Sequence, residues 1–222
     1  MNKPLGLFGG TFDPIHNGHL RCAFEVQQQL GLDQVLLLPN HIPPHKASPG
    51  IAPHHRLAMV ELAIEGCPNL GVDRRELDRS EPSYTVETLA QYRQEQGDRP
   101  LCFIVGMDSL LQFHRWHQPE QILELAHLVV CHRPDHPLPA DSEAQGWLAR
   151  HGLDSAEQLQ QTPAGGIWLQ PVTQLAIASS TLRAQMARGL AADFLLPPQV
   201  VAYIDRHRLY RHDDGGTTAK PL

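Results

Sequence analysis

The sequence predicts an α/β fold in which a mostly parallel sheet is covered by helices on both faces. Two observations support this prediction. Six short apolar runs are spaced along the chain, and segments with helical periodicity separate most of them. This alternation is typical of parallel sheets, because parallel strands need crossover connections and these are usually helices.

The elements follow from these patterns in chain order. Strands are predicted at 5–8, 35–38, 70–72, 101–105, 128–131 and 167–169. Helices are predicted near 16–30, 53–65, 84–96, 109–115 and 119–126, and two more begin near Ser180 and at the Pro197-Pro198 pair. Gly31 stands where the C-cap of the first helix would fall.

The length of 222 residues favours one domain. We expect that domain to span 1–210. Residues 134–166 are rich in proline and interrupt the alternation, so we interpret them as a surface insert with one or two helical turns. The polar, glycine-rich tail 211–222 is predicted to be disordered.

The composition excludes several classes of protein. Lys and Arg total 18 against 24 Asp and Glu, a formal net charge of −6, which argues against general binding of nucleic acid or anionic membranes. The four cysteines lie far apart, as expected of reduced thiols. With neither a leader nor a membrane-spanning run recognised, the sequence predicts a soluble, cytoplasmic protein.

Residues 9–19, GGTFDPIHNGH, are the most informative segment of the chain. They connect the first predicted strand to the first predicted helix. Gly9 and Gly10 allow close approach of a ligand to the backbone, and His16 and His19 lie three residues apart at the helix start. The free N–H groups and the dipole of a helix N-terminus favour a phosphate there.

Three further segments follow the carboxyl ends of predicted strands or their short extensions. They are Pro39-Asn40, Gly106-Met107-Asp108 and Ala178-Ser179-Ser180. In an open parallel sheet these ends share one edge, where ligands bind. We therefore expect these segments to lie near Gly9 and Gly10.

The string GGTFDPIHNGH resembles the T/HxGH signature of the α/β nucleotidyltransferase superfamily. In this form it is similar to that of the bacterial nicotinate-nucleotide adenylyltransferases. The resemblance covers residues 5 to about 207 and implies a Rossmann-like nucleotidyltransferase fold. It assigns ATP contacts to Gly9, Gly10, Thr11, Phe12, His16, His19, Gly106, Asp108, Ser179, Ser180 and Arg183.

The remaining motifs resemble the family's acceptor site. They assign acceptor contacts to Asn40, His45, Lys46, Tyr84, Thr85 and Trp116. Several of the residues assigned to ATP or to the acceptor also have a purely structural explanation. Hydroxyl groups at helix starts are ordinary caps, Asp108 could cap a helix, Lys46 could be solvated, and a lone tryptophan is often core.

The segment from Ile177 to Arg183 is similar to the family's ISSTxIR motif, with departures that include Ala178 and Ser180. Ala178 replaces the first serine, and the absence of this hydroxyl puts the corresponding contact in doubt. Ser180 replaces the threonine. Arg183 aligns with the family's arginine.

The resemblance implies adenylyl transfer from ATP to nicotinate mononucleotide, with His16, His19, Lys46 and Arg183 as catalytic residues. Mg²⁺ is expected with ATP, held by phosphate oxygens and water, since no carboxylate cage is evident. Three alternatives remain open: nicotinamide mononucleotide or phosphopantetheine as the acceptor, and a catalytically silent nucleotide-binding regulator. The sequence also leaves homo-oligomerisation open.

Overall fold

Six strands form one sheet in which every neighbouring pair is parallel. The computed structural model describes residues 3–40, 51–79, 84–132, 142–173 and 175–211. The strand order is β3-β2-β1-β4-β5-β6. In chain order the strands are β1 (Leu5–Gly10), β2 (Gln34–Pro39), β3 (Leu70–Val72), β4 (Leu101–Gly106), β5 (His127–His132) and β6 (Ile167–Pro171).

Eight α-helices lie within the described ranges. They are α1 (Asn17–Gln29), α2 (Pro53–Ala63), α3 (Thr85–Gln96), α4 (Met107–Leu111), α5 (Pro119–Leu125), α6 (Glu143–His151), α7 (Ser179–Ala187) and α8 (Pro198–Arg206). Two short 3-10 helices span Phe113–Arg115 and Ala156–Gln160. None of the described helices is both long and apolar enough to cross a membrane.

The structure confirms all six predicted strands, most of them one or two residues longer than predicted. One helix differs. The segment predicted as a helix over 109–115 begins earlier, at Met107, and divides into α4 and a 3-10 turn. Gly31 adopts a φ of 61° just beyond the end of α1, which confirms its predicted place at the C-terminus of that helix.

Side chains alternate across the sheet so that each face has its own apolar core. Leu7, Phe103 and Val130 point toward the face covered by α3, α4, α5 and α6. Ile104 and Val129 point toward the opposite face, where α1 packs. The sheet is therefore covered on both sides, and the predicted α/β architecture is confirmed.

A third apolar cluster joins α2, α7 and α8. Phe12 and Ile15, from the segment between β1 and α1, are buried in it at 2% and 0% exposure. The two helices that end the chain therefore pack against the loop that carries the glycine and histidine motif. This packing positions the residues of the site described below.

The segment predicted as a surface insert, 134–166, contributes to the core. Residues 133–141 lie outside the described ranges, but α6 buries Ala144 and Trp147, and the ring of Trp147 lies 4.9 Å from that of Phe113. Leu159 is buried in the cluster around α1. The surface placement is thus wrong for these three residues. Of the predicted disordered tail, only Arg211 is described, and it forms an ion pair with Asp205.

Candidate active site

The carboxyl ends of three strands lie together at one edge of the sheet. Gly10 at the end of β1 is in register with Pro39 at the end of β2, and the backbone N–H of Asn40 donates to the Gly10 carbonyl at 3.0 Å. β4, on the other side of β1, ends at Gly106. The strand order reverses at this point, and the crevice at such a reversal is where open α/β sheets bind ligands.

The side-chain oxygen of Asn40 lies at this edge of the sheet. This atom, Oδ1, is buried and has no hydrogen-bond partner among the described residues. A buried polar atom left without a partner costs about 1–3 kcal/mol. A ligand that supplies an N–H or O–H donor would remove this cost, which supports the predicted role of Asn40 in binding.

The glycines of the first motif lie above two aromatic rings. A Cβ added at Gly10 would lie 2.8 Å from the ring of Phe12, and one added at Gly9 would lie 3.2 Å from the ring of Phe103. Phe12 itself has a φ of 47° and is buried. The rings of Phe12 and Phe103 therefore favour residues without a side chain at positions 9 and 10, whether or not a ligand is bound.

His16 and His19 form a reciprocal cap at the start of α1. The Nδ1 of His16 accepts a hydrogen bond from the backbone N–H of His19 at 3.3 Å. The Nδ1 of His19 accepts one from the backbone N–H of His16, also at 3.3 Å. This is a capping box in which histidines replace the usual Ser/Thr and Glu/Gln. The prediction that both rings lie together at the helix start is confirmed.

Burial keeps the two rings neutral, and the hydrogen bonds determine which nitrogen of each ring carries the proton. Burial lowers the pKa of His16 to about 4, although the hydrogen bond at its backbone partly opposes the shift. Burial, followed by the nearby charge of His16, lowers the pKa of His19 to about 3. Since each Nδ1 accepts, we assign the proton of each neutral ring to Nε2. Each imidazole therefore offers one N–H donor with no partner in the described part of the chain.

The start of α7 contacts the same segment. Ser179 Oγ donates to the carbonyl of Pro14 at 3.0 Å, and Arg183 Nη1 donates to the carbonyl of Asp13 at 2.6 Å. Ala178 is the N-cap of α7 and provides no side-chain hydrogen bond. The departure of Ala178 from the family's motif therefore leaves this helix start without a side-chain cap.

Trp116 belongs partly to the core. Its ring lies 6.2 Å from that of Phe103 and 5.6 Å from that of Phe113, measured between centroids. The residue is only partly buried, so the other part of the indole is accessible. Phe103 also underlies Gly9, and Trp116 is thereby connected through one ring to the first motif.

Tyr84 contacts the same region of the chain as Trp116. It is the N-cap residue of α3, and its ring lies 4.6 Å from that of His117, the neighbour of Trp116. Thr85 follows as the first residue of α3 and is partly buried. The two acceptor motifs predicted from distant parts of the sequence therefore meet through Tyr84 and His117.

The remaining predicted site residues stand as follows. Gly106 is the N-cap residue of α4. Asp108 is exposed in the first turn of α4, where the helix dipole favours a carboxylate. Ser180 is exposed, and the Thr11 carbonyl accepts from Arg56 at 2.8 Å. His45 and Lys46 lie outside the described residues, so their roles stay predictions.

Sequence reasoning missed three residues that support the site. Asp13 is buried within the first motif, and its carboxylate accepts from the hydroxyl of Tyr210 at 2.6 Å. Arg56 is fully buried beside them. Asp13 belongs to the motif that the sequence singled out, but Tyr210 lies beyond the end of α8 and Arg56 lies in α2. No local pattern marks them.

Within the described ranges, no group of three or more His, Cys, Asp or Glu side chains is arranged to hold a metal ion.

Comparison with known proteins gives one consistent result. A family model described as cytidylyltransferase-like matches residues 7–185. An Aeromonas hydrophila protein named "Probable nicotinate-nucleotide adenylyltransferase" is 47% identical over 211 residues, which are 95% of this chain and 99% of that protein. A Cronobacter sakazakii protein of the same name is 47% identical over 206 residues, covering 92% and 94% of the two chains.

Solved structures resemble the fold. Plasmodium falciparum nicotinic acid mononucleotide adenylyltransferase complexed with NaAD aligns with a TM-score of 0.71 at 17% identity, over 94% of this chain and 98% of that one. The same enzyme complexed with APC aligns with a TM-score of 0.67 at 16% identity, over 94% and 98%. At such identities the likeness is one of fold.

Proposed function

The chain belongs to the cytidylyltransferase-like family and, within it, to the nicotinate-nucleotide adenylyltransferases, and from this premise we infer that it transfers the adenylyl group of ATP to nicotinate mononucleotide. The inference rests on the sequence identity of 47% with the Aeromonas hydrophila protein, over nearly the full length of both chains. The reaction yields deamido-NAD and pyrophosphate, a step in NAD biosynthesis.

The reaction needs alignment more than it needs a base. A phosphate oxygen of the mononucleotide attacks the α-phosphorus of ATP, and the bond from that phosphorus to the bridging oxygen of the β-phosphate breaks. The attacking phosphate is already an anion at neutral pH, because its second pKa is near ~6. The protein must hold the reacting groups in line and stabilise the charge that develops on the α-phosphoryl and pyrophosphate oxygens.

The geometry around α1 suits this task. The neutral rings of His16 and His19 each have an Nε2–H donor with no partner in the described chain, at a helix N-terminus that favours phosphate. Donors that are already in place need not reorient during the reaction, so their interaction with the developing charge stabilises the transition state at little cost in free energy. We assign these two N–H groups to the α-phosphoryl oxygens.

The outer phosphates are assigned to cationic side chains. Arg183 uses Nη1 to hold Asp13, while its Nε and Nη2 make no hydrogen bond within the described ranges. Its side chain is 40% exposed, so these donors can reach a ligand. Lys46 is assigned the same role from the sequence resemblance alone.

The acceptor is assigned to the region around Tyr84 and Trp116. The partly exposed indole provides a face on which a pyridine ring can stack. The carboxylate of nicotinate requires N–H donors, and backbone groups near Tyr84 and Thr85 are suited to provide them. Asn40, whose Oδ1 has no hydrogen-bond partner among the described residues, would accept from a hydroxyl of the bound nucleotide.

Mg²⁺ is the cation we expect with ATP. When bound, it would offset charge on the phosphate oxygens during transfer. Since the described residues form no metal cage, the ion would be held by ATP and water rather than by a dedicated set of side chains. We place the reaction in the cytoplasm, consistent with four free cysteines.

The test is a comparison of two acceptors at matched ATP concentration. We expect kcat/KM for nicotinate mononucleotide to exceed that for nicotinamide mononucleotide clearly, because an amide presents the wrong charge and hydrogens to N–H donors. Equal kcat/KM values would overturn the acceptor assignment. Nucleotide binding without pyrophosphate release would instead support the alternative of a silent regulator.

A further inference from the structure

We infer that Tyr210 is a positioning residue for the transfer reaction. Its hydroxyl fixes the carboxylate of Asp13, and Asp13 in turn holds Arg183 beside the proposed ATP site. The inference rests on the proposed function, because it concerns how Arg183 is presented to ATP. Hydrogen bonds to Asp13 from Tyr210 and Arg183 support it, together with the nearby charge of Arg56.

The first contact joins Tyr210, which follows α8, to Asp13 in the loop after β1. The hydroxyl of Tyr210 donates to Asp13 Oδ1 at 2.6 Å, a charge-assisted bond of short length. Tyr210 has a φ of 62°, a left-handed conformation that residues with a Cβ rarely adopt. Residues in such conformations persist where the surrounding structure fixes them, and they cluster at functional sites.

The hydroxyl of Tyr210 remains a donor throughout the working pH range. Burial, followed by its hydrogen bond to the Asp13 carboxylate, raises the pKa of Tyr210 well above its ordinary value. The phenol therefore does not ionise near neutral pH. Its part in the contact is to fix the orientation of the carboxylate and not to exchange a proton.

The second contact runs from Asp13 to Arg183. Arg183 Nη1 donates to the main-chain carbonyl of Asp13 at 2.6 Å and lies 3.8 Å from its Oδ2. The two carboxylate oxygens thus have different partners, the Tyr210 hydroxyl on Oδ1 and the guanidinium near Oδ2. Rotation of the carboxylate after loss of the hydroxyl would remove the charge that faces Arg183.

Arg56 is a further cation whose charge interacts with that of Asp13. Its Nη1 donates to the carbonyl of Thr11 at 2.8 Å. Burial lowers the pKa of Arg56, and the nearby negative charge of Asp13 opposes this shift. Without the Tyr210 hydroxyl, the charge of Arg56 would compete with that of Arg183 for the Asp13 carboxylate.

The direct test is Tyr210→Phe, which removes one oxygen and keeps the ring in the cluster around α8. We expect kcat to fall by roughly 10- to 100-fold, the scale for misplacing a group that must be aligned with the substrate. KM for nicotinate mononucleotide should stay near the wild-type value, because Trp116 and Tyr84 are untouched. The matched control is Tyr203→Phe, whose hydroxyl contacts His55 at 2.9 Å and not Asp13; its kinetics should equal those of the wild type.

A double-mutant cycle separates positioning from general stabilisation. If Tyr210 acts through Arg183, adding Tyr210→Phe to Arg183→Ala should cause almost no further loss of kcat, because the target of the hydroxyl is already gone. Additive losses, or a lower melting temperature with wild-type kcat, would overturn the inference. Asp13→Asn keeps the size of the side chain and removes its charge, so it must show the same non-additivity with Arg183→Ala if the inference is correct.

The wild-type assay keeps this inference distinct from the proposed function. If the wild-type protein forms no dinucleotide from ATP and nicotinate mononucleotide, the proposed function fails. If the wild type is active and Tyr210→Phe matches it in kcat, only the positioning inference fails.

Discussion

The rings of His16 and His19 are stacked with their centroids 3.6 Å apart, and each ring accepts a hydrogen bond from the backbone N–H of the other residue. The same two rings can therefore serve two purposes. The Nδ1 atoms cap α1, and this leaves the Nε2–H groups as donors for a ligand. Two histidines three residues apart thus suit both the helix start and the proposed phosphate site.

His19→Ala should reduce kcat by roughly 10²- to 10³-fold, the scale for removing one preorganised donor to a transition state. The sequence alone suggests that the fold would be unaffected. The structure adds that His19 packs against Phe8 and Phe12 and caps α1, so stability should also fall by about 1 kcal/mol. Steady-state kinetics and urea unfolding measure both effects. His114→Ala, at an exposed position, is the control, and near-normal kcat in folded His19→Ala would show that the ring is not catalytic.

Acid should destabilise the protein through the same pair. In the unfolded chain both imidazoles titrate near 6.5, whereas the folded values are about 4 and about 3. The unfolded state therefore binds more protons below pH 6.5, and the free energy of unfolding falls as pH falls. The expected slope is on the order of 1 kcal/mol per pH unit for each imidazole.

Urea unfolding at pH 7.5, 6.5 and 5.5 measures that slope. The double variant His16→Asn/His19→Asn keeps side-chain acceptors at the helix start and removes both titrating groups. Burial also lowers the pKa of His55 and His127, so part of the slope should remain. A slope unchanged from that of the wild type would contradict the protonation assigned to His16 and His19.

Trp116→Ala should raise KM for the mononucleotide more than it lowers kcat, because stacking on the pyridine ring acts equally before and during transfer. Contacts with Phe103 and Phe113 mean that some stability is lost as well. Trp147→Phe is a suitable control, since Trp147 also packs against Phe113 but is not assigned a contact with the acceptor. It should lower the melting temperature without changing acceptor KM. A wild-type KM in Trp116→Ala would exclude stacking.

Arg183→Lys keeps the charge and removes the planar fork of donors. Since Nη1 is committed to Asp13, a ligand contact must use other nitrogen atoms of the same guanidinium. The three N–H donors of lysine share one nitrogen and lack the separated, planar arrangement of the guanidinium, so they cannot reach the Asp13 carbonyl and a phosphate in the same way. The kcat of the lysine variant should therefore be nearly as low as that of Arg183→Ala. If the lysine variant instead keeps most of its activity and its deficit grows with salt, the arginine supplies only a diffuse positive potential.

The sequence predicts the elements of this fold well because the signals are local. Each strand is a short apolar run, and the parallel order follows from helices between them. The core role of α6 was missed for the opposite reason. Its proline-rich surroundings are typical of a surface loop, and nothing near Trp147 in the sequence indicates that it meets Phe113.

The site divides in the same way. The histidines, glycines and Asn40 belong to motifs or strand ends and were predicted from the chain. The Tyr210 contact with Asp13 joins residues 197 positions apart, and it exists only because α8 packs beside the loop after β1. Contacts of this kind depend on tertiary packing and leave no local pattern.

The central claim is most directly tested by following isotopic label from ATP. Wild-type protein is incubated with nicotinate mononucleotide and Mg²⁺, with ATP labelled at either the α- or the γ-phosphorus, and the products are separated by chromatography. We predict that α-label appears in deamido-NAD and γ-label in pyrophosphate, and that both signals are strongly reduced in His19→Ala. Transfer of γ-label to the mononucleotide, or release of free phosphate without a dinucleotide, would contradict adenylyl transfer at this site.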